Sequence, residues 1–512
     1  MQKKQTILVV ASLLVVVLSV TLAYFTAQII GKGKDVSVSS ADLKIIFTDS
    51  DGAISGSNIE PGWSDTKTFT VENNSKSEYK YNIVIKDLLN TFVTNGYLQY
   101  KITSTNGGYN MTEFKDVPKS SAPKDTILAY SVSIPVGVTQ SYTIEFKYAN
   151  DESVDQSEDM GKTLSGKLFI TEGTEEPTLL SQILKDNPTR STRSNNNNGT
   201  NDFATPLTTT TTGTLFTSTE SITGITDSPK EVYYFAGNTT KNWVKFANLY
   251  WRIIRTNHDG SIRLLYVGTS HDTTGGNIGT SAFNTNSNST KYVGYKYGED
   301  TSLDTIRNNT TDSTIKTYID TWYQNNLINY TKYLSTSAVY CNDRSEGTGQ
   351  TYNYTSSPSS KFNFAPYYRM DYDTDGAAAN PSYNCSDIRD AFSVDNTSAK
   401  LDYPVSLMTA DEIAYAGGVA FKKMNTPYAW FISNSAGTQV STSWWSLSPF
   451  NWNGSFARVW FWYSVIASLG SNRVNVADAV RPALSLKSCI KYSTGNGTYN
   501  EPYEIKETTS GC

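Results

Sequence analysis

"WWSLSPFNWNGSFARVWFWYSVIASLGSNRVNVADAVRPALSL" runs from Trp444 to Leu486. Between Trp444 and Tyr463 stand five tryptophans, three phenylalanines and a tyrosine, interleaved with Asn, Ser and Gly. A core strand has little use for so much Asn and Gly, and a surface loop has little use for so many indoles. The mixture is that of a binding surface. Rigid rings supply contact area at low entropy cost, and Ser, Gly and Asn supply adaptable hydrogen bonds. The competing reading is that the rings are core, the usual fate of aromatic-rich stretches.

Working outward, the stretch closes a unit that begins near residue 202. "EVYYFAG", "KFANLYWRIIRTN" and "SIRLLYVG" read as consecutive strands, with "NHDG" as a hairpin turn in which Gly260 takes a positive φ. "STIKTYIDTWYQNNL" spaces Ile315, Tyr318, Ile319 and Trp322 as an amphipathic helix capped by Asp312 or Ser313. "LMTADEIAYAGG" signals a second helix, with a Thr409/Glu412 capping box and an end at Gly417 or Gly418. "VRPALSL" is a closing strand.

"YPVSLMTADEIAYAGG" resembles the corresponding helix of formylglycine-generating-enzyme-like domains, and "WWSLSP…AVRPALSLKS" resembles the end of C-type-lectin-like domains in exported bacterial proteins. Some of those are variable proteins of diversity-generating retroelements. The resemblance covers 202–490 and implies an α+β, C-type-lectin-like ligand-binding domain with two helices. It implies an irregular stretch pinned at both ends. Trp444, Trp445, Leu447, Val459, Val480 and Leu484 would then face inward, with Trp460 also in the core. The ligand side would be Phe450, Trp452, Asn453, Ser455, Phe456, Phe461, Trp462, Tyr463 and Val465, with Asn472, Arg473 and Asp478 at its rim. Randomised Asn codons yield Phe, Tyr, Ser, Val, Ala and Asp, so Trp452 and Trp462 depart from the retroelement pattern.

Residues 35–173 form an earlier unit. "TKTFTVEN" places Phe69 and Val71 on one face. "YKYNIVI" alternates Tyr79, Tyr81, Ile83 and Ile85 inward against Lys80 and Asn82 outward. "SYTIEFKY" puts Tyr142, Ile144, Phe146 and Tyr148 together, and "DLKIIFT", "GYLQYKIT" and "SGKLFIT" are further strands. Such period-two runs, broken by "EPGWSD" and "IPVGVTQ", indicate an antiparallel β-sandwich of jelly-roll or Ig-like form. The order of pieces resembles the TasA/camelysin proteins of biofilm fibres, which implies a cell-surface or matrix module able to self-assemble. Between the units, 174–201 reads as a flexible linker with an Asn run and a short helix at Leu179 to Leu184. The threonine run 208–212 extends the linker or is an edge strand of the second unit.

At the N-terminus Lys3 and Lys4 precede an apolar run from Ile7 to Val20, followed by small residues Ala23 and Ala27. Residues 1–34 are therefore expected to be a secretory signal, cleaved between Thr26 and Asp35, or else retained as a membrane anchor. "TLAYFTA" resembles the signal peptides of the TasA and camelysin proteins. An even number of cysteines in an exported chain reads as disulfides. Four allow three pairings, of which the nearest-neighbour one, Cys341–Cys385 with Cys489–Cys512, is favoured. The second bridge would staple a tail at 491–512. No CxxC is present, and His258 and His271 lie far from all four cysteines, which disfavours a zinc site or thiol catalysis.

The net charge of −5 leaves no basic field for nucleic acid, and 12% aromatics with 34 Tyr suit polar-surfaced β domains. "DYDTDG" places Asp371, Asp373 and Asp375 as in a calcium loop, but the twelfth position is Ser382, so a solvated acidic turn is expected. No G-x-S-x-G, HExxH or Walker motif is found. The expectation is an exported surface binder of protein or glycan, with no enzyme activity and no cofactor. A structural fibre or matrix subunit is the main alternative, and a formylglycine-generating-like enzyme is the weaker one.

Overall fold

The computed structural model describes residues 36–37, 43–47, 52–55, 59–193, 203, 207, 215–271, 276–352, 361–370, 379–421, 430–431 and 442–512. The expected signal segment at 1–34, the Asn run, the threonine run and the expected acidic turn at Asp371–Asp375 lie outside them. The protein is β-rich with few helices and divides into two units, Met1–Glu176 and Pro177–Cys512.

In the first unit a six-stranded sheet runs in the order Val36–Ser37, Leu43–Phe47, Ser64–Asn73, Thr139–Tyr148, Leu98–Ser104, Lys115–Asp116. A four-stranded sheet runs Ala53–Ser55, Leu164–Glu172, Tyr79–Asn90, Ser120–Ile134. Both sheets feed one core, because the period-two apolar residues face it from either side. Phe69 stacks on Tyr142, its cross-strand partner, at 4.9 Å. Asn82 departs from expectation. It is buried at a register shift, where its Nδ2 donates to the Glu172 carbonyl (2.7 Å) and its Oδ1 accepts from the Ser131 and Thr174 amides. The long strand Ser120–Ile134 was not anticipated, since "SSAPKD" is polar and contains Pro123. It lies at a sheet edge, where a missing N–H is tolerated.

The second unit starts earlier than the linker reading allows. Helix α1 (Leu179–Asp186) is capped by Thr178, whose hydroxyl accepts from the Ser181 amide at 3.1 Å, and it buries Leu179 and Ile183 in the second core. Arg190–Thr192 pairs in parallel with Leu215–Glu220. The stretch 177–193 is thus packed structure, because one capped apolar stripe is enough to dock a short helix.

A ten-stranded sheet carries this unit, with Ile262–Gly268 between Leu249–Thr256 and the closing strand Pro482–Leu486. "KFANLYW" is two strands, Trp243–Phe246 and Leu249–Thr256, because Ala247 and Asn248 both adopt positive φ in a tight turn. The expected turn at Gly260 is present, with φ 75°. The tail is a partner in the sheet. Tyr503–Ile505 pairs in parallel with Trp243–Phe246, and Tyr503 is buried. Cys489–Cys512 and Cys341–Cys385 are both disulfides.

Among the described residues the remaining α-helices are α2 (Leu303–Ile306), α3 (Thr314–Asn326), α4 (Ala365–Met370) and α5 (Ala410–Tyr415). Ser313 caps α3, and the Thr409/Glu412 capping box opens α5. The buried apolar stripe of α3 is Ile315, Ile319 and Tyr323, with Lys316 buried beside it, and Tyr318 and Trp322 stand at its margin. A second sheet holds Thr280–Ala282, Ala477–Ala479, Trp444–Trp452, Ala457–Tyr463 and Ser468–Arg473, with Phe362–Asn363 paired to Trp444–Trp452.

Candidate functional site

The tryptophan stretch is a hairpin with a third strand, not an irregular loop. Gly454 has φ 93°, and the Asn453 side chain accepts from the amides of Ser455 and Phe456 to close the turn. Both faces of the hairpin are covered. On one, Phe431 meets Trp462 edge-on at 5.0 Å, and Phe450 meets both Trp460 (4.7 Å) and Tyr367 of α4 (4.9 Å). On the other, Trp445 packs against Phe283 and Phe461. Exposure is 5% for Phe450, 1% for Trp452, 7% for Phe461 and 1% for Trp462. These four proposed ligand contacts are core.

The polar residues of the stretch serve that core. Ser446 donates to the Trp460 carbonyl (2.8 Å), and Ser448 accepts from the Ala410 amide at the start of α5. Gly470 lies under the Phe461 ring, where a Cβ would stand 3.1 Å from the ring edge. A strand buried on both faces loses the alternation that would put half its residues outside.

The other proposed contacts are not one patch. Asn453, Ser455, Phe456 and Arg473 gather at one end of Ala457–Tyr463, where the Arg473 guanidinium sits 3.9 Å over the Phe456 ring. Tyr463 and the 72%-exposed Val465 are at the opposite end. A strand of that length spans roughly 20 Å. Asn472 donates to Asp478 (2.7 Å), whose carboxyl is raised by burial against that bond.

An open groove of about 750 Å³ lies beside α3. Its floor begins at Thr280–Ala282, where Ser281 pairs opposite Asp478. Residues flanking this strand tie it to the helix. Tyr318 donates its hydroxyl to the Ile278 carbonyl (3.1 Å), the Ile315 amide donates to the Phe283 carbonyl, and the Thr314 amide donates to the Asn284 side chain. Gly279, at φ 124°, passes beneath the Tyr318 hydroxyl, which an added Cβ would displace. Tyr297, Tyr318 and Trp322 are half-buried along the groove, and Thr317, Thr321, Asn325 and Asn326 are exposed on it. Burial raises the Tyr297 phenol, helped by Tyr292 and Asp312. No residue of this groove was among the sequence candidates. The available signal was the i, i+3, i+4 series of Thr and Asn sharing the helix with Tyr318 and Trp322.

Next to the groove, the carboxylates of Asp312, Asp320 and Asp402 converge as a metal site would. The Lys316 ammonium stands among them, at 3.0, 2.6 and 2.6 Å. Burial by itself would lower Lys316, yet the three carboxylates raise it, while Asp320 is raised by burial against the pull of Lys316. The position is filled by the protein's own cation.

A buried ion network lies deeper. Arg255 joins Glu220 (2.8 Å) to Glu412 (2.7 Å), Arg263 also holds Glu412, and Arg369 bridges Asp343 and Asp411. Burial would raise Glu220, but Arg255 and His258 hold it down to about 2. Asp411 and Glu412, read from sequence as capping residues, are also the anchors of α5 to three other elements. The space among these groups is about 10 Å³, the order of one water molecule.

Compared with known proteins, the chain matches no family model, no curated protein and no solved structure.

Proposed function

We propose that the chain is an exported binding protein of the cell exterior, with no catalytic role. In this reading the first unit is a β-sandwich of the TasA/camelysin kind, and it carries a C-type-lectin-like second unit that receives a protein or glycan ligand. Two disulfides point to an oxidising compartment, where such proteins work. The observation that carries the reading is the α3 groove, an open concavity with three half-buried rings and a belt of amides and hydroxyls. That is the make-up of a recognition site. The tryptophan hairpin is its support, through Trp445, whose indole donates to the Ser281 carbonyl (2.9 Å). Any retroelement diversification would be confined to exposed turn residues such as Ser455, Val465 and Arg473, since randomising Trp452 or Trp462 opens the core.

The burial of Phe450, Trp452, Phe461 and Trp462 favours a second reading, a structural matrix subunit without a specific ligand. Retention of the mature chain on cell-wall and matrix material separates the two. The binding reading expects saturable retention that Trp322→Ala reduces and Phe456→Ala does not. Retention that neither variant changes, together with concentration-dependent self-assembly, favours the matrix subunit.

A further inference from the structure

We infer that the α3 groove binds a neutral oligosaccharide; this rests on the reading of the groove as the ligand site. The first argument is the ring platforms. Tyr318 and Trp322 are four residues apart on α3, so they stand about 6 Å, just over one turn, apart along its axis. That separation suits consecutive sugar rings laid along the helix. Each ring is already oriented. Trp322 packs edge-on to Tyr266 at 5.4 Å, and the Tyr318 hydroxyl is bonded to the Ile278 carbonyl. Pre-oriented rings lose little entropy when a sugar stacks on them.

The second argument is the polar belt. Asn325 offers an amide that both donates and accepts, and the Thr317 and Thr321 hydroxyls, which donate to the Ser313 and Thr317 carbonyls, are left to accept from the hydroxyls of a sugar. The third is charge. Among the described residues of the lining Asp312 is the one carboxylate, and Lys296 (3.1 Å) and Lys316 (3.0 Å) already hold it. Among the described residues no cation lines the groove, so phosphate, sulfate and uronate groups find no counter-charge there. A basic peptide finds only a carboxylate already paired. A helix or strand of a partner protein would seek an apolar trough, whereas here Ile278 and the ring faces are interrupted by amides and hydroxyls.

The test titrates the mature chain with cellohexaose, chitohexaose, maltohexaose and mannohexaose, and with polygalacturonate as the anionic comparator. Tryptophan fluorescence and calorimetry are the readouts. At least one neutral hexasaccharide is expected to bind saturably, with an affinity that raised ionic strength leaves unchanged. Trp322→Ala should weaken it at least tenfold and Asn325→Ala several-fold, whereas Phe456→Ala should not. Asn325 is exposed, so its variant keeps the melting temperature and remains informative if Trp322→Ala unfolds. Failure of all four neutral sugars, or preference for polygalacturonate, overturns the inference. If the chain then still binds periodate-treated cell-wall material and loses it on Asn325→Ala, the groove remains the binding site for another ligand class. Sugar binding that neither groove variant touches removes both the inference and the site.

Discussion

The tryptophan hairpin and helix α3 are made of similar residues and have opposite fates. Both interleave aromatic rings with small polar groups: Trp, Phe, Ser and Asn in 444–463, and Tyr, Trp, Thr and Asn in 314–326. The hairpin is covered on both faces, by Phe421, Phe431 and α4 on one and by Phe283 on the other. Helix α3 is covered over Ile315, Lys316, Ile319 and Tyr323, and its other side faces the groove. An aromatic residue among polar neighbours therefore does not announce a binding face. What decides is whether a second layer of structure reaches it.

The sharpest way to break that comparison is Trp452→Ala beside Trp445→Ala. Both indoles are buried, and emptying such a site typically costs ~3–5 kcal/mol. The two variants should unfold at similarly reduced denaturant concentrations. A Trp452→Ala variant as stable as the parent would return the hairpin to the surface.

Acid tests the network that fixes α5 behind the hairpin. Glu220 is held at about 2 against an ordinary value of 4.5. A depressed folded-state value means the pairing stabilises fully above pH 4.5 and is lost as the pH falls from 4.5 through 2. The loss from this group is roughly 3 kcal/mol. Denaturation midpoints measured across that window should fall in the parent and fall less in Glu220→Gln, which starts from lower stability. An equally steep fall in the variant would place the acid sensitivity elsewhere.

Trp322→Ala on the open side of α3 should show the smallest effect. The ring is half-buried, so a loss of about 1 kcal/mol is expected in urea unfolding. A loss as large as that of Trp452→Ala would mean the groove ring is a core residue, and the contrast between the two regions would collapse.

Much of the architecture was legible along the chain. The alternation in "SYTIEFKY" and "TKTFTVEN" places Tyr142, Ile144, Phe69 and Val71 in the first core. The capping box at Thr409 and the turn at Gly260 also stand where local chemistry puts them. Less was legible where a residue has two uses. Asn82 alternates like a surface residue but is buried, because a register shift turns its amide toward backbone groups of a neighbouring strand. Arg255 and Arg263 lie in strands that otherwise read as apolar, and they are accommodated by Glu220 and Glu412, far away in sequence. The tail at 491–512 has no strong strand pattern, yet Tyr503–Ile505 extends the main sheet.

Local rules suffice for period, caps, turns and the nearest-neighbour cysteine pairs, since each depends on groups a few residues apart or on simple proximity along the chain. By themselves they determined a β-rich protein of two units, two capped helices and two disulfides. Burial depends on what arrives from elsewhere in the chain. Phe431 on Trp462, Tyr367 on Phe450 and Phe283 on Trp445 come from segments between 31 and 162 residues away. Only the tertiary structure could therefore decide that the tryptophan hairpin is core and that the open rings are Tyr318 and Trp322.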